Sequence, residues 1–112
     1  MQELPVINRT QEMYEATSKI TDRMAALKRQ TLGRRLEDSI LAMLELLIMA
    51  KYAPAPQKGP YLIKASARAE IIQFQFRILL NQNLANETTL HQLQAKNAEI
   101  GRMLGGWRKS IR

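Results

Sequence analysis

"LHQLQAKNAEIGRMLGGWRKSI" (Leu90–Ile111) decides the fold class. Its Leu90, Leu93, Asn97, Ile100, Leu104, Trp107 and Ile111 stand 3, 4, 3, 4, 3 and 4 residues apart. That spacing lines one side of an α-helix. Asn86, just upstream, is a side chain suited to capping its first turn.

The same period recurs upstream. Ala65, Ala69, Ile72, Phe76 and Leu79 form one stripe, and Leu36, Ile40, Met43, Leu47 and Ala50 form another. Met13, Thr17, Ile20, Met24 and Leu27 form a fourth. Asn8 or Thr10 is the expected N-cap of the first helix and Thr31 opens the second, with Gly33 and a polar stretch marking the break. "APAPQKGP" (Ala53–Pro60) holds three of the four prolines, so no helix is expected to pass through it. The expected helices are 8–28, 31–52, 61–84 and 87–108, in one domain spanning 1–112. Short connections make neighbours antiparallel, giving an all-α, up-down-up-down antiparallel four-helix bundle.

Two segments carry more apolar residues than one stripe requires. Leu41, Leu44 and Ile48 flank the second stripe, and Ile71, Phe74 and Ile78 the third. A bundle helix needs only about three apolar positions in seven, so the surplus predicts a homo-oligomer.

Net charge is +7, and it is unevenly placed. Residues 1–50 hold seven basic and seven acidic side chains, whereas 51–112 hold ten and three. The excess points to a polyanionic partner: nucleic acid, an anionic membrane or an acidic protein surface, and a nucleic acid would be held through its phosphates. Lys64 and Arg68, one turn apart, with Arg77, Arg102, Arg108 and Lys109, are the candidate contacts. No cysteine, metal-ligand spacing or nucleophile–base pair suggests catalysis, a metal or another cofactor. His91 is expected to stand without an acid partner. No apolar run reaches membrane-spanning length, and no basic-then-apolar leader is visible, so a cytoplasmic protein is expected.

The glycines of "GRMLGG" pose a separate question. Gly101 and Gly105 lie four apart, on one face, where a backbone or a ring can approach closely. Gly105 or Gly106 is expected to end or bend the helix, leaving Trp107 at its margin.

"EIGRMLGGWRKS" (Glu99–Ser110) closely resembles the C-terminal signature of the accessory variability determinant (Avd) proteins of diversity-generating retroelements. "TLGRRLEDSILAMLELLIMAKYA" (Thr31–Ala53) and "KASARAEIIQFQFRILL" (Lys64–Leu80) are similar to that family's second and third helices. The resemblance implies a barrel-shaped homopentamer, bacterial or phage-encoded, that assists a reverse transcriptase without catalysis of its own. That pair copies a template RNA into adenine-mutagenised cDNA during mutagenic retrohoming. Gly101, Arg102, Leu104, Gly105, Gly106 and Trp107 match the signature. Many relatives carry two arginines four apart in the third helix. Here Gln73 holds the first place, so Arg77 alone is carried over. Bundle proteins encoded within ribosomal-RNA intervening sequences, or a basic structural oligomer meeting an acidic protein, are the alternatives.

Overall fold

The computed structural model describes residues 3–111. Four long helices form the protein: α1 (Glu3–Thr21), α3 (Arg34–Tyr52), α4 (Ala55–Asn81) and α5 (Glu87–Ser110). A short helix, α2 (Ala26–Lys28), leads through a π-helical turn, Arg29–Gly33, directly into α3. In space α1 packs on α3 and α5, and α4 packs on the same two. The result is an up-down-up-down bundle of 46 × 22 × 19 Å.

All three later stripes are buried as their spacing requires, except for Ile111, which is half-buried and extended beyond the end of α5. Leu36, Ile40, Met43, Leu47 and Ala50 meet Ala65, Ala69, Ile72, Phe76 and Leu79, closed by Leu90, Leu93, Ile100, Leu104 and Trp107. The first stripe holds only in part. Met13, Thr17 and Met24 are buried, but Leu27 is 72% exposed. Helix α1 stops at Thr21, and tight turns from Arg23 N to Ile20 O (3.2 Å) and Met24 N to Thr21 O (3.1 Å) reset the helical phase. Leu27 therefore belongs to a new helix and faces outward.

The break consequently lies at 22–25, ahead of Gly33. Gly33 sits inside the continuous π-to-α run, where a Cβ would meet Thr21 Cβ and Cγ2 at 3.4 Å. It lets α3 lie close to the end of α1, where the Thr21 hydroxyl donates to the Glu37 carboxylate. Asn8, Thr10 and Thr31 are not caps. All three lie within helical turns, and the hydroxyls of Thr10 and Thr31 donate back to Val6 O (2.8 Å) and Leu27 O (2.9 Å).

The proline-rich segment is shorter as a barrier than expected. Ala53 is extended (ψ 148°), as a residue before proline must be, and Pro54 is the N-cap of α4. Pro56 falls in the first turn, where its missing N–H costs nothing. Pro60 is inside the helix and removes the donor that the Pro56 carbonyl would have used. Gly59 relieves the clash that a Cβ before Pro60 would make. Lys58 reaches back and donates to Ala50 O (2.8 Å) and Lys51 O (2.9 Å), closing the end of α3.

At the other end of α4, Asn83 takes a left-handed conformation (φ 55°). Leu84 N then bonds Leu79 O (3.0 Å) and Asn83 N bonds Leu80 O (3.1 Å), the Schellman pattern that ends a helix at 81 rather than 84. Asn86 caps α5 as expected, its side chain accepting from Thr89 N at 2.9 Å.

Candidate functional site

The α4–α5 seam is fixed by a buried polar chain. Asn97 is 2% exposed, and its Nδ2 donates to Ala69 O at 2.8 Å and Gln73 Oε1 at 3.1 Å. Gln73 Nε2 in turn donates to Gln94 O at 3.0 Å. A polar residue in the apolar stripe thus sets the register of two antiparallel helices, the use best attested for such residues.

That register locates the candidate cations. Lys64 is exposed and Arg68 half-buried on α4. Lys64 shares a flank with Gln75, eleven residues on, which lines a groove with Leu32 and Arg35. Arg77, nine residues beyond Arg68 and hence about half a turn out of phase, lies on the opposite flank, toward α5. Its guanidinium stacks on the exposed Phe74 ring, 5.1 Å from the centroid, and it does not pair with Glu70. Arg102, Arg108 and Lys109 are exposed on the last turns of α5.

The six candidates do not form one patch. Lys64, Arg102, Arg108 and Lys109 gather toward the end of the bundle where α3 stops and α5 finishes. Arg77 lies about 15 Å from Arg102 along the axis. Lys51 belongs to the basic end as well, with its ammonium 5.3 Å from the Tyr52 ring centroid. Its position on the last turn of α3 is legible only once the antiparallel order is known. Arg102 does not pair with Glu99, which bonds Arg9 at 3.3 Å. His91 does have an acid neighbour. Glu87, four residues before it, lies at 3.7 Å on the open surface, an ion pair only when the imidazole is protonated.

The signature glycines differ from expectation. Neither Gly105 nor Gly106 ends α5, which runs on to Ser110. It stops where Ile111 turns extended and the Ser110 hydroxyl donates to Trp107 O at 2.7 Å. Trp107 is buried within the helix, and Leu104 lies beside it in the core. A Cβ at Gly101 or Gly105 would meet no heavy atom within 4 Å. Beside Gly101 runs an open groove of about 420 Å³ between α4 and α5, lined by Ser66, Ala69 and Glu70 from one and Asn97 and Ala98 from the other.

A family model described as bAvd-like matches residues 5–111, nearly the whole chain. The chain belongs to the bAvd-like family. Comparison with curated proteins finds no match. The bAvd-like match runs through all four long helices and ends at the residue that closes α5. Among the described residues, no helix is long and apolar enough to cross a membrane.

Proposed function

We propose that this bAvd-like protein is a non-catalytic accessory factor of a diversity-generating retroelement. It binds the element's reverse transcriptase and nucleic acid and works as a homo-oligomer. The observation that carries this reading is the family match over residues 5–111. The chemistry of the surface agrees with it. The basic end offers Lys64, Arg102, Arg108 and Lys109 to phosphates, and Arg77 on Phe74 offers a flat cation suited to a protein or nucleotide contact.

Assembly rests on a second feature. Leu41, Ile48 and Met49 on α3, with Ile63, Ile71, Phe74 and Ile78 on α4, are exposed apolar side chains of the single chain. They lie on the outward sides of two adjacent helices. Contact between unlike faces of successive copies is head-to-tail, which generates a ring when the rotation closes. A barrel-like pentamer is the closed form that the Avd resemblance implies. Repetition of each cation around such a ring turns weak phosphate contacts into useful avidity.

The test is affinity purification of the tagged protein at moderate salt, with identification of the co-purifying proteins and RNAs. A reverse transcriptase with one dominant structured RNA is the expected result. Ribosomal particles, or an acidic protein without RNA, would refute the assignment. Reversing the charges of Arg77 and Arg102 is expected to weaken RNA binding, with the assembly intact. Each lost phosphate contact flattens the log–log salt slope by about 0.7.

A further inference from the structure

The first fifty residues balance to zero charge, but not evenly along their length. Residues 19–35 hold six cations, Lys19, Arg23, Lys28, Arg29, Arg34 and Arg35, against one acid, Asp22. The other acids of that half, Glu3, Glu12, Glu15, Glu37, Asp38 and Glu45, lie on either side. The fold gathers the six cations at one end of the bundle, where α1 stops, α2 and the π-helical turn follow, and α3 begins. Lys28 ties this segment to the end of α4, its Nζ donating to Gln82 Oε1 at 3.3 Å. Arg77 stands one turn before that same end of α4. The basic end described above is at the opposite pole, about 25 Å away along α3 from Arg34 to Lys51.

The charge at this end is not cancelled locally. Glu37 and Asp38 follow Arg34 by three and four residues, the spacing of a helical ion pair. Glu37 instead accepts from the Thr21 hydroxyl, and among the described residues none of the six cations pairs with an acid. Arg29 donates to the backbone carbonyl of Asp22, at 3.4 Å, and not to its carboxylate. All but the half-buried Lys28 are exposed. Between the two poles Glu12, Glu15, Glu45, Glu70 and Glu99 outnumber Arg9, Arg68 and Lys96, so the basic ends are two places and not one stripe. Like charges crowded at one end repel one another, and a bound polyanion relieves that repulsion.

We infer that the end of the bundle where α1 stops and α3 begins is a second phosphate-binding surface, so that the protein holds two segments of nucleic acid at once, one at each pole. Four of the six cations are arginines, whose planar forks match phosphate oxygens. A phosphate chain needs only spaced cations. An acidic protein or a membrane would need apolar side chains at the centre of the contact. Among the described residues 19–35, Leu27 alone is a large apolar side chain left exposed. Ile78, nearby on α4, belongs to the outward side assigned above to a neighbouring copy. This inference rests on the nucleic-acid part of the reading above and adds a second place for it.

The experiment compares the full-length protein with Arg29→Glu/Arg34→Glu at this pole and Arg102→Glu/Arg108→Glu at the other. A short single-stranded RNA is immobilised, the protein is bound to it, and a second, fluorescent copy of that RNA is added. Mass by light scattering and helical content by circular dichroism are measured beside it. The unaltered protein is expected to capture the second RNA. Each double variant is expected to hold the immobilised RNA, with mass and helical content unchanged, and to capture about a tenth of the second RNA or less. With all four arginines reversed, neither RNA is expected to bind. Arg29→Gln/Arg34→Gln serves if the reversals disturb folding, with the same direction expected. Undiminished capture by the Arg29→Glu/Arg34→Glu variant overturns the second surface and leaves the first standing. A change of its mass does so too, because these arginines would then belong to a subunit contact. If polyglutamate or phosphatidylserine vesicles of equal charge displace RNA from the Arg102→Glu/Arg108→Glu variant, nucleic acid is the wrong occupant for this pole. Absence of RNA binding by the unaltered protein overturns the nucleic-acid reading and the second surface together.

Discussion

Replacing Asn97 with alanine tests whether the α4–α5 register is held by hydrogen bonds. The change removes donors at 2.8 Å to Ala69 O and 3.1 Å to Gln73 Oε1, two of the three side-chain bonds between these helices. Each is worth about 0.5–1.5 kcal/mol net, so the loss is about 1–3 kcal/mol. The cavity contribution is small, because the position borders an open groove that water can enter. At an unfolding entropy of about 2.1 cal/mol/K per residue, a chain of this length loses about 4–12 °C of Tm. Thermal and urea unfolding at one fixed protein concentration measure the two quantities, read by far-UV circular dichroism and by Trp107, the sole and buried tryptophan. Asn97→Leu is expected to recover at least half of the loss. It replaces an unpaired acceptor by apolar atoms of similar volume. Asn97→Asp adds a pH test. Its carboxyl would sit buried, with no cation among the groups it faces, so its folded pKa would be raised. Stability is then highest below the unfolded value of about 3.9 and falls as pH rises. An alanine variant within about 0.5 kcal/mol of the parent, or a leucine variant as unstable as alanine, would refute the account.

Asn86→Ala removes the cap that accepts from Thr89 N, and denaturant unfolding is expected to show a loss of about 1 kcal/mol. Gly33→Leu forces atoms against Thr21 and is expected to cost about 1–3 kcal/mol. Gly101→Ala, with no neighbour to strike, is expected to gain about 0.5–1 kcal/mol in the same assay. Ile78→Asp places a charge on the outward face of α4, and light scattering is expected to show a smaller particle with the helical content kept.

The bundle was legible wherever a stripe repeated without interruption. Leu90 to Trp107 and Leu36 to Ala50 could be read because burial and the 3.6-residue period select the same positions. The first stripe failed at Leu27 because its spacing continues across a break that no glycine or proline marks. Turn hydrogen bonds at 20–24 and the Thr21–Glu37 contact make that break, and neither shows in composition. Glycine and proline misled in the opposite direction. Gly33 serves a close approach, Pro56 and Pro60 ride in the opening turns of α4, and Gly105–Gly106 end nothing. The excess of charge was legible, but the places the cations take on the bundle were not. A count of cations carries no azimuth, so it could not separate Arg68 from Arg77. Gln73 entered the sequence reading only as a missing arginine. Its bonds to Asn97 and Gln94 depend on a register that pairing across the chain sets.

Helix α4 is apolar on its inner side and, through Ile63, Phe74 and Ile78, on its outer side as well. An ordinary surface helix has a whole face on which substitutions accumulate at little cost. Here the inner face is committed to the core, the flank toward α5 carries Gln73 with its bonds to Asn97 and Gln94, and the outer face, on the assembly proposed above, would be committed as well. Few positions remain free to drift. Across any set of bAvd-like sequences, α4 is therefore expected to change slowest, and α1, with one committed face, fastest. The outer residues of α4 would be expected to change in step with the surface they meet on a neighbouring copy.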